Sequence, residues 1–321
     1  MRLWFGVLVC AMMCGCGPTV KLFTDNTDPL MEYTLQGSGE QRVALISLNG
    51  ILTNQGQSGM LRQYPSPVQE VVSQLHLAAA DERVKAVVLK VNSPGGTVTA
   101  SDILYQELMT FKKTTGKALV VVMMDVAASG GYYISLPADS IVAHPTTITG
   151  SIGVILSRVD LVEGMEKLGI DVSVSKSGVN KDMGSPFRPS TKEEDALFQA
   201  MIDQMADRFT GLVKTHRDLS EANQKEAFSA RVILADEALS LGLVDKIGYI
   251  SDAIGEARRL SRMGADPRVV VYRRSDYKND NVYNSAVNRS EEGGIALNRP
   301  PLPLPAVKSG FYYLWPGYQG D

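Results

Sequence analysis

Beyond its sixteenth residue the chain contains no cysteine. All three, Cys10, Cys14 and Cys16, stand at the N-terminus, so the folded body has no disulfide. Nor does any segment carry a Cys₄ or Cys/His spacing that could hold zinc, and no metal or cofactor is expected. A strong charge of either sign is missing as well. Lys and Arg number 32 against 35 Asp and Glu, a formal net charge of −3, which argues against nucleic acid as the main partner. Histidine is scarce, with three residues in 321. A membrane-spanning run is also lacking near the start. Arg2 precedes an apolar stretch from Leu3 to Met13, well short of the roughly 20 residues that a spanning helix needs. A charged start, a short apolar core and small residues after it fit a secretory signal, which makes the body an exported one.

Apolar residues, by contrast, are plentiful at 44 %, enough for a large core. "RVALISLNG" has strand character and ends on the Asn49-Gly50 turn signal. Val68, Val71, Val72 and Leu75 then recur at helical spacing. "VKAVVLKVNSPGG" and "KALVVVMM" are nearly continuous apolar strands, separated by a helix over Ser101 to Lys113 with Ser101 as its N-cap. Apolar strands alternating with helices indicate an α/β fold whose largely parallel sheet is buried on both faces.

Further along, "SIVAHPTTITGSIGVI" suggests short strands around a glycine-rich turn. "RVDLVEGMEKLG" reads as a helix and "DVSVSKSG" as a strand. Thr191 to Lys214 has Leu197, Met201, Met205, Phe209 and Leu212 on one helical face. "DEALSLGLVDKIG" reads as a short helix and strand, Asp252 to Arg262 as a helix, and "RVVVYRR" as a last strand. Four units follow: a signal at 1–16, a polar leader at 17–41, a single domain at 42–274, and a Pro- and aromatic-rich tail at 275–321. That tail has no period and is expected to be disordered. No internal repeat is evident.

In "VVMMDVAASGGYYIS" Ser129 stands among Ala127, Ala128, Gly130 and Gly131, between an apolar strand and a helical stretch. Small neighbours leave its hydroxyl accessible and let a substrate backbone approach, while helix N-terminal amides would favour negative charge there. Alone, the fragment fits a tight packing turn better than a catalytic site. A nucleophilic serine also needs a base. His76, His144 and His216 are the only histidines, and His144 lies nearest the small-residue loops. A lysine is the other solution, provided burial lowers its pKa from about 10.4.

"VNSPGG", "DVAASGGYYIS", "TITGSIGVI" and "KSGVNKDMGSPFRPST", in this order, closely resemble the signal peptide peptidase A family of serine endopeptidases, on the ClpP/crotonase fold. "SLGLVDKIG" extends the resemblance, which covers roughly Arg42 to Ile250. It implies Ser129 as nucleophile and Lys181, 52 residues later, as general base, with Lys176 the competing lysine. It further implies that Ser151 orients the lysine amine, and that Gly95 or Gly96 forms an oxyanion hole with Gly130. Two departures stand out. "SARVILADEA" loses two glycines of the family pattern, at a place expected to lie away from the dyad, and Met124-Asp125 is a variant before the serine.

"MCGC" resembles a bacterial lipobox with Cys16 as the lipid-carrying residue; an ordinary signal peptide or an uncleaved anchor remains the alternative. The resemblance implies a peptidase in the bacterial cell envelope, membrane-anchored and acting on hydrophobic signal-peptide-like substrates. It also implies a homo-oligomeric ring, possibly an octamer, sharing active sites between subunits. The rival readings are a crotonase-like acyl-CoA enzyme and a catalytically silent scaffold on the same fold. The intact Ser129/Lys181 pair speaks against the scaffold, and the lack of a basic patch for a CoA phosphate tail against the acyl-CoA enzyme.

Overall fold

A computed structural model describes residues 28–58, 63–284 and 310–317. Along the chain come β1 (Met31–Gln36), β2 (Arg42–Asn49), the paired β3 (Gln57–Ser58) and β4 (Gln63–Tyr64), and helix α1 (Pro67–Ala80). Next are β5 (Val84–Ser93), β6 (Gly95–Thr97), α2 (Val98–Thr115), β7 (Ala118–Ala128), a single turn α3 (Gly130–Tyr133) and β8 (Ser140–Ala143). β9 (Ile148–Gly150), β10 (Ile155–Ser157), α4 (Val162–Leu168) and a 3-10 turn at Val179–Asp182 follow. The long α5 (Lys192–His216), α6 (Glu221–Ala227), β11 (Val232–Leu234), α7 (Ala235–Leu241) and β12 (Lys246–Ile247) come after that turn. α8 (Ile250–Leu260), β13 (Arg268–Arg273) and β14 (Gly310–Leu314) complete the described elements.

The apolar runs form the middle of the main sheet, ordered β1-β13-β2-β5-β7-β8-β12. Every pairing along it is parallel except β1 on β13. Strand alternation then sorts their side chains onto two cores. Ala44, Ile46, Val87, Leu89, Leu119 and Val121 face α1 and α2. Val43, Leu45, Ala86, Val88, Val120 and Val122 face α8, whose Ile250, Ala253, Ile254 and Ala257 cover them. A run buried on both sides has no polar face to alternate with, which is why these strands read as continuously apolar.

Four expectations are corrected. The N-cap of α2 is Thr97, whose hydroxyl accepts from the Ala100 amide; Ser101 lies inside the helix, buried, and donates to the Thr97 carbonyl. The alternating "DVSVSKSG" forms no strand, and Val172 and Val174 are exposed, because no neighbouring edge pairs with them. The polar leader holds β1, recruited by β13 across more than two hundred residues. The tail holds β14, a strand between β10 and β6. Residues 1–27, with the signal and Cys16, lie outside the described ones.

One side chain breaks the apolar pattern. Lys90 follows Ala86 and Val88 on the α8 face and is 3 % exposed. Its amine donates to the carbonyls of Val282 (2.9 Å) and Asn284 (3.2 Å). Burial, with Arg273 nearby, lowers its pKa from 10.5 to about 8. Between those values the unfolded lysine still binds a proton that the native one has released, so stability rises with pH across the window. The denaturant midpoint of the wild type is expected to climb from pH 8 to 10 relative to Lys90→Met. Equal slopes in the two proteins would contradict a desolvated amine.

Candidate active site

The serine is aimed by a bulge. β5 and β7 stay in register to Val91↔Met123 and resume at Ser93↔Ala127, so Met124 to Val126 bulge out. Asn92 fills the gap: its amide oxygen accepts from Val126 N (3.0 Å) and its amide nitrogen donates to Asp125 (3.0 Å). Asp125 is thus a strut for the bulge. Past it, Val126–Ala128 leave β8 and pair with β9.

Ser129 follows at φ 52°, ψ −114°, a conformation that costs a residue with a β-carbon about 1–3 kcal/mol. Its amide donates to Gly150 O (2.8 Å) and its carbonyl accepts from Tyr133 N (2.9 Å), which opens α3. A strained serine at a strand-to-helix turn is the geometry of a nucleophile elbow. Its Oγ is buried without a hydrogen-bond partner. An orphaned hydroxyl of this kind costs about 1–3 kcal/mol. α3 is only one turn, so any favour to negative charge comes from individual amides and not from a helix dipole, contrary to expectation.

Two glycines make room beside it. Gly95 has φ 98°, and a β-carbon there would lie 2.0 Å from Tyr313 O and 2.6 Å from Gly130 N. One on Gly130 would lie 2.4 Å from Ser101 Oγ and 3.0 Å from Tyr313 O. Any side chain at either position would displace backbone. The Gly95 amide is engaged by Ser93 Oγ (3.1 Å). Gly96 pairs with Tyr313 and bridges Leu52.

Ser151 adjoins this group directly. It follows Gly150, has φ 51°, and donates its amide to Arg231 O (2.8 Å). The "SARVILADEA" segment therefore braces the Ser151 turn and does not lie apart from it. Ala230, in that segment, adopts φ 60°, the left-handed region that glycine occupies freely.

The structure brings Ser129, Gly95, Gly96, Gly130 and Ser151 together. Lys181 is elsewhere: it lies exposed on the Val179–Asp182 turn and does not bond Ser129 Oγ. Its loop is nevertheless well held. Arg188 grips Asp182 through Nε (2.9 Å) and Nη2 (2.8 Å) and forms a second, short pair with Glu194, the capping-box residue of α5. Lys176 donates to Asp182 (2.8 Å) and to Val179 O (3.0 Å). Hydrogen bonds from Arg188 and Lys176 hold the Asp182 carboxyl well below the usual carboxylate range. Asp182 and Arg188 sit inside a quoted motif, but six residues apart they follow no helical or strand period that would mark them as partners.

The histidines are engaged elsewhere too. His144 Nδ1 pairs with Thr146 Oγ1 (2.9 Å) and its ring meets the Tyr249 edge; His216 Nε2 pairs with the Tyr105 hydroxyl (2.8 Å); His76 is exposed. Burial lowers the His216 pKa. Among the described residues no cluster of His, Cys, Asp and Glu could hold a metal ion.

The profile of Peptidase family S49 matches residues 111–264 and that of Clp protease residues 63–147. A protein named as a signal peptide peptidase SppA from Enterococcus faecium is 34 % identical over 260 residues, 81 % of this chain and 74 % of that one. The chain belongs to peptidase family S49. An archaeal relative named as a protease, from Methanocaldococcus jannaschii, is 38 % identical over 219 residues, 68 % of this chain and 69 % of that one. A ClpP1 variant from Listeria monocytogenes superposes with a TM-score of 0.42 at 18 % identity, over 65 % of this chain and 94 % of that one. As an S49 member the protein is a serine peptidase with a ClpP/crotonase-type α/β domain.

Proposed function

We propose that this S49 peptidase cleaves apolar, signal-peptide-like segments through Ser129 as nucleophile and Lys181 as general base. The observation that carries the reading is Ser129 itself, strained, orphaned and followed by Gly130, which packs against Gly95. Ser129 Oγ attacks the scissile carbonyl, the neutral Lys181 amine takes its proton, and the amides of Gly130 and of Gly95 or Gly96 bear the oxyanion. The protonated lysine then delivers that proton to the leaving amine, and water hydrolyses the acyl-enzyme by the same path. Ser151, next to Gly150, orients the amine.

Lys181 serves a neighbouring copy. An exposed lysine stays charged and is no base, whereas packing its loop on the next subunit's Ser129 would strip its water and lower its pKa. Leu168, Ile170, Val172 and Val174, in the segment before that loop, and Leu197 and Met201 on α5 are exposed apolar side chains suited to burial in a homo-oligomeric ring, possibly an octamer. A serine-reactive fluorophosphonate supplies the test: it should add one adduct to the assembled protein, at Ser129. Labelling elsewhere, or none in an assembled ring, would reject the nucleophile.

At the other end of the chain, Cys16 is the proposed lipid anchor to the cell envelope, because several acyl chains hold a protein that one chain would not. No helix among the described residues is long and apolar enough to cross a membrane. The mass of the mature N-terminus decides: a diacylglyceryl Cys16 supports the anchor, and a retained Met1 overturns it.

A further inference from the structure

β7 and β9 end in the same way. Each stops one residue before a serine held at positive φ, Ser129 at 52° after Ala128 and Ser151 at 51° after Gly150. The strands run parallel, with Val126↔Ile148, Ala127↔Thr149 and Ala128↔Gly150 in register, so the two strained serines leave adjacent strand ends. Strain of this kind persists only where the surrounding structure over-determines it. Three registered positions are a short ladder for that task, and the Ser129 amide adds one bond beyond it, to Gly150 O (2.8 Å).

A side chain reinforces this ladder. Thr149, fully buried, donates its hydroxyl to Ala127 O (2.7 Å). Two residues earlier the equally buried Thr147 bonds Met124 O (2.5 Å), next to the point where β7 leaves β8. The carbonyl that enters the bulge and the one that leaves it are thus each held by a threonine. Threonine and valine share a β-branched shape, so what Thr149 adds at its position is the bond. Thr149 stands two residues before Ser151, and its acceptor stands two residues before Ser129. One hydroxyl therefore ties both turns together.

We propose that Thr149 is a positioning residue for the peptidase reaction: through Ala127 O its hydroxyl fixes the Ser129 turn against the Ser151 turn. The inference rests on Ser129 as nucleophile for its consequence and on the strand register for its evidence. Without the bond, the end of β7 can shift against β9, and the strained serine relaxes toward an ordinary conformation. Misplacement of a reacting group by about 1 Å can cost about 10²-fold in rate. Affinity for substrate should change little, because the Thr149 hydroxyl is already engaged by Ala127 O.

The test compares Thr149→Val with Thr149→Ser in full-length assembled protein, with Ser129 labelled by a fluorophosphonate over a range of probe concentrations. At saturation Thr149→Val should label about 10–100-fold more slowly, with half-saturating probe within about twofold of wild type. Thr149→Ser keeps the hydroxyl and should label nearly as fast as wild type. Val88→Ala, a truncation in the core that faces α8, controls for lost stability: it should melt earlier yet label at the wild-type rate. Amide exchange over 126–131 and 148–153 should run about 3–10-fold faster in Thr149→Val, for the loss of one hydrogen bond, and not in Thr149→Ser. Wild-type labelling of Thr149→Val would overturn the proposal, as would Thr149→Ser or Val88→Ala labelling as slowly as Thr149→Val. Should the wild type itself not label at Ser129, the nucleophile assignment fails. Exchange then decides alone, and unchanged exchange in Thr149→Val rejects the link between the two turns.

Discussion

Ser129→Gly should abolish peptide cleavage and at the same time stabilise the protein by about 0.5–2 kcal/mol. Loss of the nucleophile leaves only what the amides and binding supply, so a fall of about 10³-fold or more is expected. The stability gain has a separate source. Ser129 is held at φ 52°, where a β-carbon is strained and glycine is not. Glycine's greater freedom in the unfolded chain cancels about 0.5–1 kcal/mol of that relief, and removal of the orphaned hydroxyl adds to it. Ser129→Ala keeps the β-carbon, so it should be equally inactive without the same stabilisation. Denaturant melts of the three proteins check this. A glycine variant less stable than the alanine one would mean that the backbone there is not under strain.

Lys181→Arg should be as inactive as Lys181→Ala, a loss of about 10³-fold or more, because a guanidinium does not release its proton in a protein. Mixing decides whose lysine it is. Ser129→Ala supplies an intact Lys181 and Lys181→Ala an intact Ser129, each inactive alone. After dissociation and reassembly together, interfaces that join the two intact residues should recover a fraction of wild-type activity. If sedimentation finds mixed rings and none returns, the lysine serves its own chain's serine.

Much of this could be read from residues alone. β2, β5 and β7 were legible because a strand buried on both faces is simply apolar, and Ser129 because only small residues surround it. Other features depend on partners distant in the chain. Val172 and Val174 have the alternation of a strand but no edge to pair with. β14 comes from a proline-rich segment whose composition suggests disorder, yet it pairs with residues more than two hundred positions earlier. Local preference is a weak prior when a waiting strand edge supplies the hydrogen bonds. The Arg188–Asp182 clamp likewise escapes any periodic rule. On α5 the period is right: Phe209 is buried and Leu197 and Met201 share its stripe, but in one chain these two stay exposed.

That uncovered stripe changes which substitutions the protein can tolerate. Leu168, Ile170, Val172, Val174, Leu197 and Met201 are exposed in a single chain, so a charged replacement there costs the fold less than one in the core. Their apolar character is then kept by a different requirement, the joining of copies. Deleterious variants would accordingly fall into two classes, those at the glycine-lined cleft and those on this apolar surface. A screen that scores only soluble, folded protein would pass every variant of the second kind.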